Sequence, residues 1–316
     1  MTSVSHLADH IHRDLLDLVP DLKKSPRQKL AIMVSALIER QSCNLMELAA
    51  VLPLETDKPN SRYAWIERFL SADTVDEAMI MAALAHQIFQ HLHRQNKTLI
   101  ICLDQTAIGD NHAIAMVSVR VGERGLPLLW KTKPIKGNIE TACYIKMLKT
   151  LADLVPQSAQ VIVMADRFFN AGQIIATCKQ FGWGWRLRLK QNRILTQDGG
   201  EITARERCKH HPLCPCKVMV NGEAAYVGSV HDKGHKEPWI IAMDVPPTRK
   251  RVLNYGLRWS IESMFSDAKT RGFNIEDTHI LRSDRLSKLI LVIATAMHWC
   301  VITGMERQKN TFQKAA

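Results

Sequence analysis

The sequence predicts a mixed α/β protein with an all-helical N-terminal part and a β-rich insertion, and three observations predict it. Apolar residues recur at helical spacing through about residue 95. From Thr98 onward, short apolar runs of strand length alternate with amphipathic segments, the pattern of a layered mixed sheet flanked by helices. Across residues 191–247 the helical spacing disappears, and turn signals separate short strands. At ~150 residues per domain, 316 residues make about two domains. The division expected is a helical part at 1–96, an α/β domain at 97–190 and 248–304, an insertion at 191–247, and a tail at 305–316.

The elements follow in order. Residues 28–40 form a helix with Leu30, Ile32, Met33, Leu37 and Ile38 facing inward. Asn44 caps a short helix over 45–52, which Pro53 ends, and Ser61 caps a second one carrying Tyr63, Trp65, Ile66, Phe69 and Leu70. That pair reads equally as a DNA-reading helix pair or as a helical packing unit. A longer helix spans 76–95, and His86, His91 and His93 near its C-terminus suit the helix dipole rather than a metal. Strands at 98–103, 113–121 and 126–131 make an antiparallel meander, turned at Gly122 and Gly125. A helix at 144–154, a strand at 161–165, a helix at 171–181 and a strand at 183–190 follow. In the insertion, Asp198-Gly199-Gly200, Asn221-Gly222-Glu223 and Asp232-Lys233-Gly234 are turns, with strands at 217–220 and 224–230. One continuous helix is expected over 248–269, then a closing helix with Leu286, Leu289, Ile290, Ile293, Ala294 and Met297 in register.

Forty-two Lys and Arg against 31 Asp and Glu give a net charge of +11, and the pI is about 9.3. A 46% hydrophobic content excludes a disordered chain, and the basic excess favours nucleic acid over an acidic membrane surface. Eight cysteines are too few for a disulfide scaffold, no secretory signal opens the chain, and the longest apolar stretch, 289–303, is short for a membrane span. A reduced, cytoplasmic protein with no membrane partner is expected.

Two aspartates each close an apolar strand: Asp104 after Ile100-Ile101-Cys102-Leu103, and Asp166 after Val161-Ile162-Val163-Met164-Ala165. A carboxylate leaving a buried strand is costly unless solvated, paired or bound to a cation. Singly each reads as a turn or cap residue; together they suggest a shared cation site. On the helix expected at 248–269, Tyr255, Arg258, Glu262 and Lys269 fall within an arc of about 60° at ~100° per residue. The bland reading of that stripe is a solvated face with salt bridges.

The spacing Tyr255-x2-Arg258-x3-Glu262-x6-Lys269 resembles the Tyr-Arg-Glu-Lys signature of insertion-sequence DDE transposases, in the subgroup named for insertion sequence four. Arg258-Trp259-Ser260-Ile261-Glu262 is similar to that family's Arg-Trp-x-Ile-Glu core. Leu103-Asp104-Gln105-Thr106 resembles its first acidic motif, and Ala165-Asp166-Arg167-Phe168-Phe169 its second. Arg186-Leu187-Arg188-Leu189-Lys190 is similar to the basic strand that follows, and 191–247 sits where the family carries a β-rich insertion. The resemblance covers roughly residues 98–304 and implies a ribonuclease-H-like catalytic domain. It implies Asp104, Asp166 and Glu262 as catalytic metal ligands, and Tyr255, Arg258 and Lys269 as DNA-binding residues. The implied partners are the element's terminal inverted repeats and target DNA, met by a homodimer holding two DNA ends.

Three carboxylates without histidine or cysteine make an oxygen-only site suited to Mg²⁺ or Mn²⁺. Two such ions, ~4 Å apart, would clamp a scissile phosphate for end cleavage and joining. Lys131, Lys133, Lys136, Arg186, Arg188, Lys190 and Arg193 are then expected along the DNA path. Trp183, Trp185, Trp239 and Trp259 are expected in the core. Cys208, His210, His211, Cys214 and Cys216 crowd nine residues, but the spacing is not that of a zinc finger or ribbon, so a loop is expected. A nuclease or resolvase would keep fold and metals without strand transfer; the Tyr-Arg-Glu-Lys stripe speaks against it. A silent DNA-binding regulator would need no full set of carboxylates.

Overall fold

Five helices precede the first strand in the computed structural model, which describes residues 3–134, 137–231, 234 and 236–314, with side chains through Met305. They are α1 (Ser3–Leu18), α2 (Lys24–Arg40), α3 (Leu45–Val51), α4 (Pro59–Ser71) and α5 (Glu77–Arg94). Asn44 Oδ1 accepts the Met46 N–H at 3.0 Å, so that cap acts as the sequence predicts, and Asp76 Oδ1 likewise caps α5 by accepting the Met79 N–H at 3.0 Å. Ser61 does not cap α4. The helix starts two residues earlier, with Lys58 at the N-cap and Pro59 in its first turn, where proline sacrifices no hydrogen bond. Arg62 fastens the α3–α4 connection by donating to the carbonyls of Thr56 at 2.7 Å, Leu52 at 2.8 Å and Ala50 at 3.2 Å.

Then come β1 (Leu99–Ile108), β2 (His112–Val121), β3 (Arg124–Lys133), α6 (Thr141–Ala152), β4 (Val161–Ala165), α7 (Ala171–Gln180) and β5 (Gly184–Arg188). Next are β6 (Ile194–Gln197), β7 (Gly200–Thr203), α8 (Ala204–His210), β8 (Lys217–Val220), β9 (Glu223–Val230) and β10 (Trp239–Met243). The chain ends in α9 (Arg249–Leu253), a 3₁₀ turn (Asn254–Arg258), α10 (Trp259–Ala268), a second 3₁₀ turn (Ile275–Thr278) and α11 (Ser283–Lys314).

All ten strands join one mixed sheet in the order β3-β2-β1-β4-β5-β10-β9-β8-β6-β7. β4 lies parallel to β1 and to β5, while β1–β2, β2–β3 and β5–β10 are antiparallel. Nearly every residue of β2 is buried, as is the first half of β1, so both faces there are covered. At Gly125 a β-carbon would stand 2.6 Å from the Ser260 carbonyl oxygen. That glycine lies in β3 rather than in the turn, which Gly122 makes, and it lets α10 close onto the strand.

Four expectations are corrected. β1 does not stop at Leu103 but runs through Asp104 to Ile108, because Ile108 pairs with His112 and the whole polar stretch stays in the ladder. Within residues 191–247, β10 pairs with β5 and extends the central sheet. These residues also hold a helix, α8, started by a capping box in which Thr203 and Glu206 satisfy each other's backbone N–H. The helix expected over 248–269 is broken into α9, a 3₁₀ turn and α10. Finally, α11 continues through residues 305–314, where a tail was expected.

The turns at Asp198-Gly199 and Asn221-Gly222 fall as predicted, each with both residues at positive φ, as a two-residue hairpin demands. Asp232 and Lys233 of the third turn lie outside the described residues, as does Lys136. One buried cluster runs from Val4 of α1 through the sheet to Met297 of α11. By length and composition Ser283–Met305 is apolar enough to cross a membrane, yet 67% of its apolar window is buried inside the protein.

Candidate active site

The parallel register places the two aspartates side by side. Leu103 pairs with Ala165, and Ala165 with Leu187, so Asp104, Asp166 and Arg188 each directly follow a paired residue of β1, β4 and β5. Asp104 is held by its neighbours: its Oδ1 accepts the Gln105 N–H at 2.8 Å, and its carbonyl accepts the Tyr144 hydroxyl at 3.0 Å. Gln105 fixes the loop beyond β3, donating to the Gly137 carbonyl at 2.7 Å and accepting the Ile139 N–H at 2.6 Å. Asp166 Oδ1 accepts the Phe168 N–H at 2.9 Å, a tight turn that opens the segment after β4. Burial pushes the Asp166 carboxyl above the ordinary range; the Asp104 charge adds to this, while the Phe168 N–H, Arg258 and Arg167 oppose it.

Glu262 reaches the same place from α10. The Arg258 guanidinium joins it to β1, Nη1 donating to Asp104 Oδ2 at 2.8 Å and Nη2 to Glu262 Oε1. Arg258 is only 7% exposed, whereas half of the Glu262 side chain is open to solvent. Two of the three carboxylates, Asp104 and Glu262, thus meet on one guanidinium, and Asp166 feels its charge without bonding to it. Their all-oxygen donor chemistry fits Mg²⁺ or Mn²⁺. As the side chains stand, no three His, Cys, Asp or Glu among the described residues are grouped to hold a metal ion. This covers the carboxylates and the Cys208–Cys216 segment alike, where Cys208 is buried on α8 and Cys216 exposed beyond it.

The other expected DNA-binding residues divide. Tyr255 does not face a ligand: it is 2% exposed, packs edge-on against Trp239 at 5.4 Å, and burial raises its hydroxyl pKa. The cause is the 3₁₀ turn, whose ~120° per residue turns Tyr255 into a small core with Val252 and Met243. Lys269 ends α10, donating to the Ala107 carbonyl at 2.8 Å and pairing with Glu276 at 2.9 Å. At ~3.3 Å per residue along β1, that carbonyl is about 10 Å from Asp104. Arg186 is buried, and its guanidinium is committed to Asp244 and the Trp185 carbonyl, so it offers nothing to DNA. Arg188 is half-buried and Lys190 exposed. Trp183, Trp185 and Trp239 are buried as expected, but Trp259 is 45% exposed.

Sequence reasoning missed Phe168, which is 64% exposed two residues beyond Asp166. Lys190 Nζ stands 5.3 Å and the Arg167 guanidinium 5.9 Å from its ring centre. The three residues border an open cleft of about 560 Å³ whose wall also includes Asn192, Arg205 and Glu237. Its signal in the sequence was an aromatic following Asp-Arg at a turn, where nothing apolar is needed.

The arrangement brings aspartates from adjacent parallel strands and a glutamate from a following helix into one candidate site. The family model of the transposase DDE domain matches residues 140–299, just over half of the chain, and the protein belongs to that family. The match includes Asp166 and Glu262, while Asp104 lies before it. A search of curated proteins returns no match.

Proposed function

We propose that this transposase belongs to the Tyr-Arg-Glu-Lys subgroup, with a ribonuclease-H-like core that cleaves the ends of an insertion sequence and joins them to target DNA. The observation that carries the reading is that one buried guanidinium, Arg258, holds Asp104 and Glu262 together from separate elements, with Asp166 directly following β4, the parallel neighbour of β1. Asp104, Asp166 and Glu262 would hold a pair of divalent cations, which would supply Lewis-acid stabilisation of the phosphate and activation of the attacking water or 3′-hydroxyl. Asp104 presents its oxygens from β1 and Asp166 from just beyond β4, and Glu262 contributes the third from the solvent edge. Arg258 offers the bidentate fork that matches a phosphate. Arg188, Lys190 and Arg167 line the approach beside Asp166 for the DNA backbone, with Phe168 as a stacking surface. Tyr255 supports this arrangement from the core, beneath Arg258 at 5.7 Å. A dimer on two DNA ends completes the reading.

The test is incubation with Mg²⁺ and a DNA fragment bearing the inverted repeats that flank the coding region. End cleavage and end joining are both expected, and Glu262→Gln abolishes both while leaving DNA binding in a gel-shift assay intact. Cleavage without joining would instead make the protein a nuclease.

A further inference from the structure

The β1–β4 ladder ends at Leu103–Ala165 and the β4–β5 ladder at Ala165–Leu187, so strand pairing stops one residue short of Asp166. The separation of Asp166 from Asp104 is left to contacts outside the sheet, and the first turn of α6 touches both sides of it. On one side, the Tyr144 hydroxyl donates to the Asp104 carbonyl at 3.0 Å. On the other, the Tyr144 ring meets Phe169 edge-on at 4.7 Å, and Thr141 Oγ1 accepts the Asn170 N–H at 3.2 Å. Phe169 and Asn170 belong to the short segment that Asp166 opens and that leads into α7. Tyr144 is fully buried. Burial pushes its hydroxyl pKa up, and the Asp104, Cys143 and Asp166 charges add to that. A core position that needs only volume is filled as well by phenylalanine. A buried hydroxyl has to find a partner, and this one takes the backbone of a proposed metal ligand.

We propose that Tyr144 is a positioning residue: acting from α6, it holds the Asp104 backbone and the segment after Asp166 at a fixed separation. The inference rests on the proposed function, in which the two carboxylates serve one phosphate. Ring and hydroxyl form one rigid plane, so a displacement at one contact is passed to the other. A misplacement of about 1 Å costs an enzyme up to about a hundredfold in rate, and this tie opposes it. Thr141 adds a second tie from the same turn, so α6 acts as a clamp across the gap that the ladder leaves.

Two full-length variants, Tyr144→Phe and Phe169→Leu, test this, with Leu151→Val as the control that loosens buried α6 packing two turns further along. The first readout needs no DNA. The Gln105 and Phe168 N–H groups each donate to an aspartate Oδ1, so their amide resonances report the two carboxylates. Tyr144→Phe should shift both resonances. Phe169→Leu should shift that of Gln105, although Phe169 follows the other aspartate, and Leu151→Val should shift neither. The second readout is cleavage of a terminal-repeat duplex in Mg²⁺, with duplex affinity measured in parallel by fluorescence anisotropy. For Tyr144→Phe we expect kcat to fall about ten- to a hundredfold while duplex affinity stays within about twofold. A merely structural Tyr144 would cost no more kcat than Leu151→Val does. An unmoved Gln105 resonance in Phe169→Leu, or an unchanged kcat in Tyr144→Phe, overturns the positioning role and leaves the proposed function standing. An unaltered protein that does not cleave the duplex overturns the proposed function, and the amide resonances then decide the positioning role alone.

Discussion

His298 sits in the middle of α11 with no exposed surface, its Nε2–H donating to the Pro127 carbonyl at 2.7 Å. Burial pushes its pKa down to about 4, against a weaker opposing pull from that carbonyl. The ring is therefore neutral in the fold and protonates near 6.5 only once unfolded. Its contribution to stability is complete above about pH 6.5 and is lost as the pH falls from there toward 4. Between pH 7 and pH 5 the loss should be about 2 kcal/mol. His298→Gln keeps a donor for Pro127 and does not titrate, so urea midpoints at the two pH values should lie closer together than in the unaltered protein. At this same scale, Arg186 and Arg188 show what sequence cannot distinguish. Two arginines with identical local context part company because Asp244, 58 residues away, captures one of them.

Where neighbours along the chain decide, elements were legible. The strand Val161–Ala165 lies where its apolar run predicts, and Asn44 and Asp76 cap the helices they precede. Asp76→Ala should lower stability by about 1 kcal/mol in chemical denaturation, and Asp76→Asn should restore most of it. Elements were misread where a partner overrode the local pattern. The polar residues Asp104-Gln105-Thr106 read as a strand end, yet pairing to Met116, Ala115 and Ile114 keeps them in β1. Across 248–269 a helical wheel was drawn through a segment that tightens to 3₁₀ at Tyr255. Arg258 and Glu262 still meet, because their i,i+4 spacing falls where the α-helix begins. The Thr203-x2-Glu206 signal of α8 was present in the sequence, but its helix is too short for periodicity to declare it.

For the whole molecule, the core gives no sign of a division at residue 96. α2 and α5 pack on α11, α11 packs on β3, and all contribute to one buried cluster. Lys288 donates to the Val75 carbonyl at 2.7 Å, and Asn44 to Asp277 at 3.2 Å, so polar ties cross the same boundary. Unfolding of the intact chain should be a single transition, coincident by far-ultraviolet circular dichroism and tryptophan fluorescence. A fragment of residues 97–316 should lose that transition and bind a hydrophobic dye, since α11 would expose the face that α2 and α5 cover. Two separated transitions, or a fragment that melts cooperatively, would show independent domains instead.

By itself the sequence determined the class of elements, the chain order of three carboxylates with a β-rich segment between the second and third, and the resemblance they carry. All of these reside in local periodicity and short motifs, which a single chain displays without folding. Tertiary structure alone decided that Asp104 and Asp166 directly follow paired residues of adjacent parallel strands, that Tyr255 turns inward, and that Phe168 stands exposed beside Lys190. It also decided that Arg258 reaches across 154 residues to hold Asp104. A charge takes the partner that burial brings within hydrogen-bond reach, and no spacing along the chain reveals which partner that is.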